Sequence, residues 1–187
     1  AIDKVSANAA IDGALAEKDN SIDASNLTAE EKADLKKTVD AEGQTAKGNI
    51  DAATKDADVT TAKNTGVGKI NNITVPTTSA TKDAAKDAID QAAKTKDAAI
   101  DASNLTAEEK ADLKKTVAGE VQTAKGNIDA ATNNADVESA KNTGVETINK
   151  IPTTSATKDA AKNAIDQAAQ AKDAAIDASN LTAEEKA

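Results

Sequence analysis

The sequence predicts an all-α protein: tandem antiparallel three-helix bundles stacked end to end as an elongated rod. Three observations carry that prediction. First, the segment DASNLTAEEKA occurs three times, beginning at Asp23, Asp101 and Asp177, so the chain repeats with a period of 78 and then 76 residues. A period this long marks an array of supersecondary units. Second, 44 of the 187 residues are Ala, the strongest helix former, and the basic residues are all Lys. Third, the larger apolar residues recur at steps of three and four, with no sustained alternation of period two, so no strands are predicted.

The repeats are close copies. Asp23–Asn71 aligns with Asp101–Asn149 at 40 of 49 identical positions, and Thr81–Ala111 with Thr157–Ala187 at 28 of 31. The two-residue length difference falls between Ile70–Ala80 and Ile148–Ala156, where both prolines, Pro76 and Pro152, also lie. Loops tolerate length changes best, so this stretch reads as the connection between units. The domains expected are 1–78 as a first three-helix repeat, 79–154 as a second, and 155–187 as the first helix of a truncated third. The chain stops five residues into a segment that continues in the other copies, so it is expected to be a piece of a longer array.

The second copy shows the elements most plainly. A first helix is predicted over Thr81–Ser103, with Ala85, Ala88, Ile89, Ala92, Ala99 and Ile100 on one face. Lys96 completes the stripe if its stem lies along the core edge. Asn104 and Leu105 break the pattern. Thr106-Ala107-Glu108-Glu109 then forms a capping box, in which the Thr hydroxyl accepts from the amide three residues on and Glu109 reaches back to the amide of Thr106. The same box recurs at Thr28–Glu31 and Thr182–Glu185, and Leu105 is placed to staple the first turn.

The second helix is predicted from there to about Thr132, with Leu113, Val117, Val121, Ala124, Ile128 and Ala131 along its stripe. Gly126, and Gly48 in the first copy, sit inside it at a cost of about 1 kcal/mol each. They imply a bend or a close backbone approach. Asn133-Asn134-Ala135-Asp136 is a turn, with Asp136 as the expected N-cap of a third helix over Val137–Lys150. Its apolar side holds Val137, Ala140, Gly144, Val145, Ile148 and Ile151, and Pro152 forbids its continuation. Eleven Ile, Leu and Val residues make a thin core for such a bundle. Ala propensity, caps and contacts with neighbouring repeats are needed to complete its stability.

Composition excludes most chemistry. The chain has no His, Cys, Met, Arg, Phe, Tyr or Trp and a net charge of -9. There is no imidazole base, thiol nucleophile, disulfide or ordinary zinc site to build. The usual interface anchors Trp, Tyr and Arg are missing. Nucleic-acid binding requires a basic surface with Arg or aromatic readout, which an acidic chain of this kind lacks. The longest apolar runs are a few residues, so membrane insertion is not expected. No catalytic, cofactor-binding or metal residue is predicted.

The segments KDAAKDAIDQAAKTKDAAIDASNLTAEEKADLKKTV and KGNIDAATNNADVESAKNTGVETI resemble the helical repeat of unknown function found in Gram-positive cell-wall-anchored surface proteins. The AID, NLT-x-EEK and ADV-x-x-AK elements carry the resemblance, which covers nearly the whole chain. It departs most in the first helix, where Lys4–Ile22 keeps fewer than half the positions of Lys82–Ile100. The resemblance implies an extracellular stalk in a large adhesin associated with adhesion and biofilm, with no catalytic residues.

Four local motifs have simpler explanations than sites. Asn26-Leu27-Thr28, its copies at Asn104 and Asn180, and Asn72-Ile73-Thr74 match a glycosylation sequon, but the first three read as helix-cap turns. Asp56-Ala57-Asp58 could form a weak cation site, but reads as a turn with an N-cap, because the second copy has Asn134-Ala135-Asp136 there. Gly66-Val67-Gly68 is no phosphate loop, since its copy is Gly144-Val145-Glu146 in a helical pattern. Glu108 and Glu109 are adjacent on a helix and explained by capping. The near-identical copies point to a structural spacer, and with the resemblance the expected function is a stalk of a cell-surface adhesin, projecting a distal binding domain from the wall, monomeric and paired with neighbouring repeats of its own chain. The alternative is a three-helix module binding host matrix or plasma proteins. A disordered desiccation protectant is disfavoured by the caps, the prolines and the long period.

Overall fold

The computed structural model describes residues 3–187. Its described residues form eight helices and no strand: α1 (Lys4–Asp23), α2 (Ala29–Ala52), α3 (Asp56–Asn71), α4 (Ala80–Asp101), α5 (Ala107–Ala130), α6 (Asn134–Asn149), α7 (Ala156–Asp177) and α8 (Ala183–Lys186). Each helix begins or ends within a few residues of the position predicted from sequence. The protein is all-α and built of tandem helical repeats. Its compact units cut across the repeats: one comprises residues 3–89 with Thr123–Gly144, the other Asp90–Gln122 with Val145–Ala187.

The first unit contains a complete three-helix bundle. Helices α1, α2 and α3 each pack on the other two. Ala7, Ile11, Ala14, Ile22, Val39, Ala46, Ile50, Val59 and Ile70 form its core. Burying each Ile or Val among them is worth about 1.5–3 kcal/mol. Two lysines fix the helix directions. The Nζ of Lys4, at the start of α1, donates to the carbonyl of Asp51 at the end of α2 (2.7 Å), so these helices run antiparallel. Lys18 Nζ donates to Asn71 O and Ile73 O at the end of α3 (3.1 and 2.7 Å), so α1 and α3 run parallel. The divergent first helix thus packs like its copy. The identities it keeps with α4 include its buried positions Ala7, Ile11, Ala14 and Ile22 and both lysines.

Where α1 diverges, packing compensates. A Cβ on Gly43 would stand 2.7 Å from Leu15 Cδ1. The second copy has Val121 at the position of Gly43 and Ala93 at that of Leu15. Large and small have exchanged places, which conserves volume across the α1–α2 contact.

In the second unit, Ile100, Leu105, Val117 and Ile151 form a core, with Ala93, Leu113 and Val121 packed against it. Leu105 is buried in that core. Lys96 lies part-buried along the edge, and its Nζ reaches Asn149 O and Ile151 O (3.0 and 2.8 Å). It therefore satisfies the orphan carbonyls at the end of α6, besides covering apolar surface with its stem. Helix α7 buries no residue, and Ile165 is 68% exposed although its copy Ile89 is fully buried.

Three sequence expectations are corrected. Ala99 is exposed, because it lies about 100° round the helix from Ile100; Ala93 packs against the core instead. Asp136 is not the cap of α6. Asn133 precedes the helix, accepts from the Asp136 amide through Oδ1 (2.8 Å) and donates from Nδ2 to Asp136 Oδ2 (2.9 Å). Finally, α2 and α5 run through Gly48 and Gly126, and a Cβ on either would meet nothing within 4 Å. The close approaches are at Gly66 and Gly144. A Cβ on Gly66 would lie 2.5 Å from Ala46 Cβ and 2.8 Å from Ile11 Cδ1; one on Gly144 would lie 2.6 Å from Ala124 Cβ and 2.7 Å from Ile89 Cδ1. Glycine lets the third helix press against the other two.

Candidate functional site

A polar cluster lies where one repeat passes into the next, and it grows from the capping box. Thr28 is fully buried and extended (φ -69°, ψ 162°), which aims its hydroxyl at the first turn of α2. Its Oγ1 accepts from the Glu31 amide (3.3 Å), and Glu31 Oε1 accepts from the Thr28 amide (2.8 Å). The turn before it is tied down by Ser25, whose hydroxyl donates to Ile22 O (2.6 Å) and accepts from the Leu27 amide.

Glu31 does more than close its own box. Ser79 Oγ donates to Glu31 Oε1 (2.6 Å), and the amide and hydroxyl of Thr81 donate to Oε2 (3.2 and 3.3 Å). Ser79 also accepts from the Lys82 amide, so it caps α4 while it donates to Glu31. One carboxylate therefore joins the head of α2 to the head of the next repeat's first helix. Partial burial is the largest single influence on Glu31 and raises its pKa. The hydrogen bonds from Ser79, Thr28 and Thr81 together outweigh it and hold the carboxyl at about 2 against an ordinary 4.5.

The arrangement recurs in the second unit. Glu109 accepts from the Thr106 amide (3.0 Å), from Ser155 Oγ (2.6 Å) and from the Thr157 amide (3.2 Å). Ser155 caps α7 through the Lys158 amide. Here the Ser155 hydroxyl is the largest cause of a carboxyl likewise held at about 2. The third box, Thr182 with Glu185, closes on itself.

Glu30, the neighbour of Glu31, has a separate job in the first unit. Its Oε2 accepts from the Asn134 amide at the head of α6 (2.9 Å), while the Ala29 amide donates to Thr132 O (2.9 Å). Adjacent carboxylates on one helix thus reach two different helices of the following repeat. Capping explains only part of the Glu-Glu pair, because the partners lie 48 to 104 residues away.

The other motifs fall as structural parts. Asn26 and Asn104 are exposed in the cap turns, and Asn72 is the C-cap of α3. Asp56 and Asp58 are exposed in the first turn of α3, where their charge complements the helix dipole. Among the described residues no group of three or more His, Cys, Asp or Glu is arranged to hold a metal. Gly66 and Gly68 lie inside α3. A polar cleft in the first unit is lined by Asn26, Thr78, Ser79, Lys82, Lys86 and Asp129, and the Lys86–Asp129 ion pair closes part of its wall. No described helix is long and apolar enough to cross a membrane.

A family model, described as Domain of Unknown Function (DUF1542), matches the chain twice, over residues 3–78 and 81–156. Searches of curated proteins and of solved structures returned no match.

Proposed function

Because the chain belongs to the DUF1542 family, a repeat to which no activity is assigned, we propose that it serves as a structural spacer. It would be part of the extracellular, wall-anchored stalk of a bacterial surface adhesin, projecting a distal binding domain. The observation that carries this reading is the recurrence of the same junction chemistry, Glu31 with Ser79 and Glu109 with Ser155. Near-identical copies joined by the same contacts add length, and length is the property on which a spacer is selected. Folding of the array then resembles other linear repeats, in which each unit leans on its neighbours. The protein is read as monomeric and non-catalytic, with its own neighbouring repeats as partners.

Small-angle scattering in physiological salt tests the reading. A globule of this length has a radius of gyration near 16 Å. A spacer of two bundles, each carrying about 35–40 Å of helix length, plus a further helix should reach or exceed roughly 90 Å in its longest dimension. A radius near the globular value would remove the physical basis of the function. Binding to immobilised host matrix and plasma proteins is the companion assay; saturable micromolar binding by one repeat would favour the binding module over the spacer.

A further inference from the structure

We propose that the Glu-Glu pair at the head of each repeat's second helix is a coupling element between successive repeats. The second carboxylate holds the head of the next repeat's first helix. The first holds the head of its third helix, so that one folded repeat stabilises its successor. The partner this surface fits is another copy of the same repeat, recognised through Ser-x-Thr at the start of one helix and a free amide at the start of another.

Three observations converge on this. The Glu31 carboxylate uses both oxygens across the junction, with Ser79 on Oε1 and Thr81 on Oε2. Both donors sit in a helix head, whose first amides have no intrahelical acceptor and gain most from an outside anion. The Ser-x-Thr and the Glu recur together at Glu109, Ser155 and Thr157, so the arrangement belongs to the repeat and not to one junction. Glu30 adds an independent latch on Asn134, and the Ala29 amide a backbone bond to Thr132 beside it. The compact unit that holds α1–α3 accordingly includes the start of α4 and residues Thr123–Gly144 of the next repeat. The inference reaches beyond the spacer reading, since it holds whatever the array is for.

Amide-resolved hydrogen exchange on the whole chain tests it. Glu31→Gln is the informative variant: glutamine serves a capping box as glutamate does, but it presents one acceptor oxygen where Glu31 uses two. Exchange at the Thr81 and Lys82 amides should speed at least tenfold, and more than at the head of α2, where the box itself is kept. Ser79→Ala should in turn speed exchange at the head of α2, because coupling is reciprocal. Glu30→Ala should expose the Asn134 amide alone. The untouched junction at Glu109 provides the reference within each sample. Should Glu31→Gln lose helix outright, Glu109→Gln with Ser155→Ala repeats the test at the second junction. Effects confined to the mutated repeat in either direction would overturn the proposal.

Discussion

Replacing glycine by alanine should move stability in opposite directions at two pairs of sites. Gly48 and Gly126 lie on exposed faces of α2 and α5, with nothing within 4 Å of an added Cβ. Alanine there restricts the unfolded chain and improves helix propensity by about 1 kcal/mol per site. Gly66 and Gly144 gain the same propensity, but the new methyl arrives 2.5 and 2.6 Å from the Cβ of Ala46 and Ala124. Those atoms are fixed to helix backbones and cannot swing away. Ordinary contact begins at 3.4 Å, so the third helix must retreat by about 1 Å or the core must deform. Overpacking of this kind costs about 1–3 kcal/mol, leaving a net loss near 1 kcal/mol per site. Each kcal/mol shifts the melting temperature of a chain this size by roughly 2–4 °C. Thermal unfolding followed by circular dichroism at 222 nm should therefore rise by roughly 4–8 °C for Gly48→Ala/Gly126→Ala, and fall for Gly66→Ala/Gly144→Ala. Equal stabilisation by both double variants would refute the close approach of the third helix.

Three further predictions follow from particular contacts. Leu15→Ala and Gly43→Val should each destabilise the first bundle, while the double variant, which recreates the Ala93–Val121 pair of the second copy, should recover most of the loss; a denaturant-melt cycle should give a coupling of about 1 kcal/mol or more. Lys18→Met and Lys96→Met keep the apolar stem but leave the carbonyls at the ends of α3 and α6 without their donor, at about 1 kcal/mol each by urea titration. Glu31 and Glu109 have folded pKa values near 2, below the unfolded 4.5, so their contribution is complete above about pH 4.5 and is lost as pH falls towards 2; the melting temperature should drop across that window, and Ser79→Ala/Ser155→Ala should flatten the drop.

Much of the local structure was legible because it depends on short spacings. The boxes at Thr28, Thr106 and Thr182 each bind residues three apart, and all three make both reciprocal bonds. Apolar steps of three and four placed Ile89, Ile100, Val117, Ile128, Val137 and Ile148 in the interior, where all are buried. Two of the errors were local ambiguities. Asn133 and Asp136 are both good caps, and only the backbone shows which of them precedes the helix. Ala99 and Ala93 are both small and apolar, so the choice between them turned on a phase that Ala-rich helices leave weakly marked.

By itself the sequence determined the helices, their order, the repeat and the exclusion of imidazole, thiol and aromatic chemistry, since each follows from residue type or from neighbours within a few positions. Tertiary structure decided which residues meet at a distance. Nothing in the spacing of Glu31 and Ser79, 48 residues apart, distinguishes a helix cap from a tie between repeats. Nor does any local pattern say that Gly66 is pressed against Ala46 while Gly48 faces open space. A hydrogen bond or a van der Waals contact depends on the separation of atoms in space. Chain position fixes that separation only within a turn or two of helix; beyond it, the packing of whole helices does.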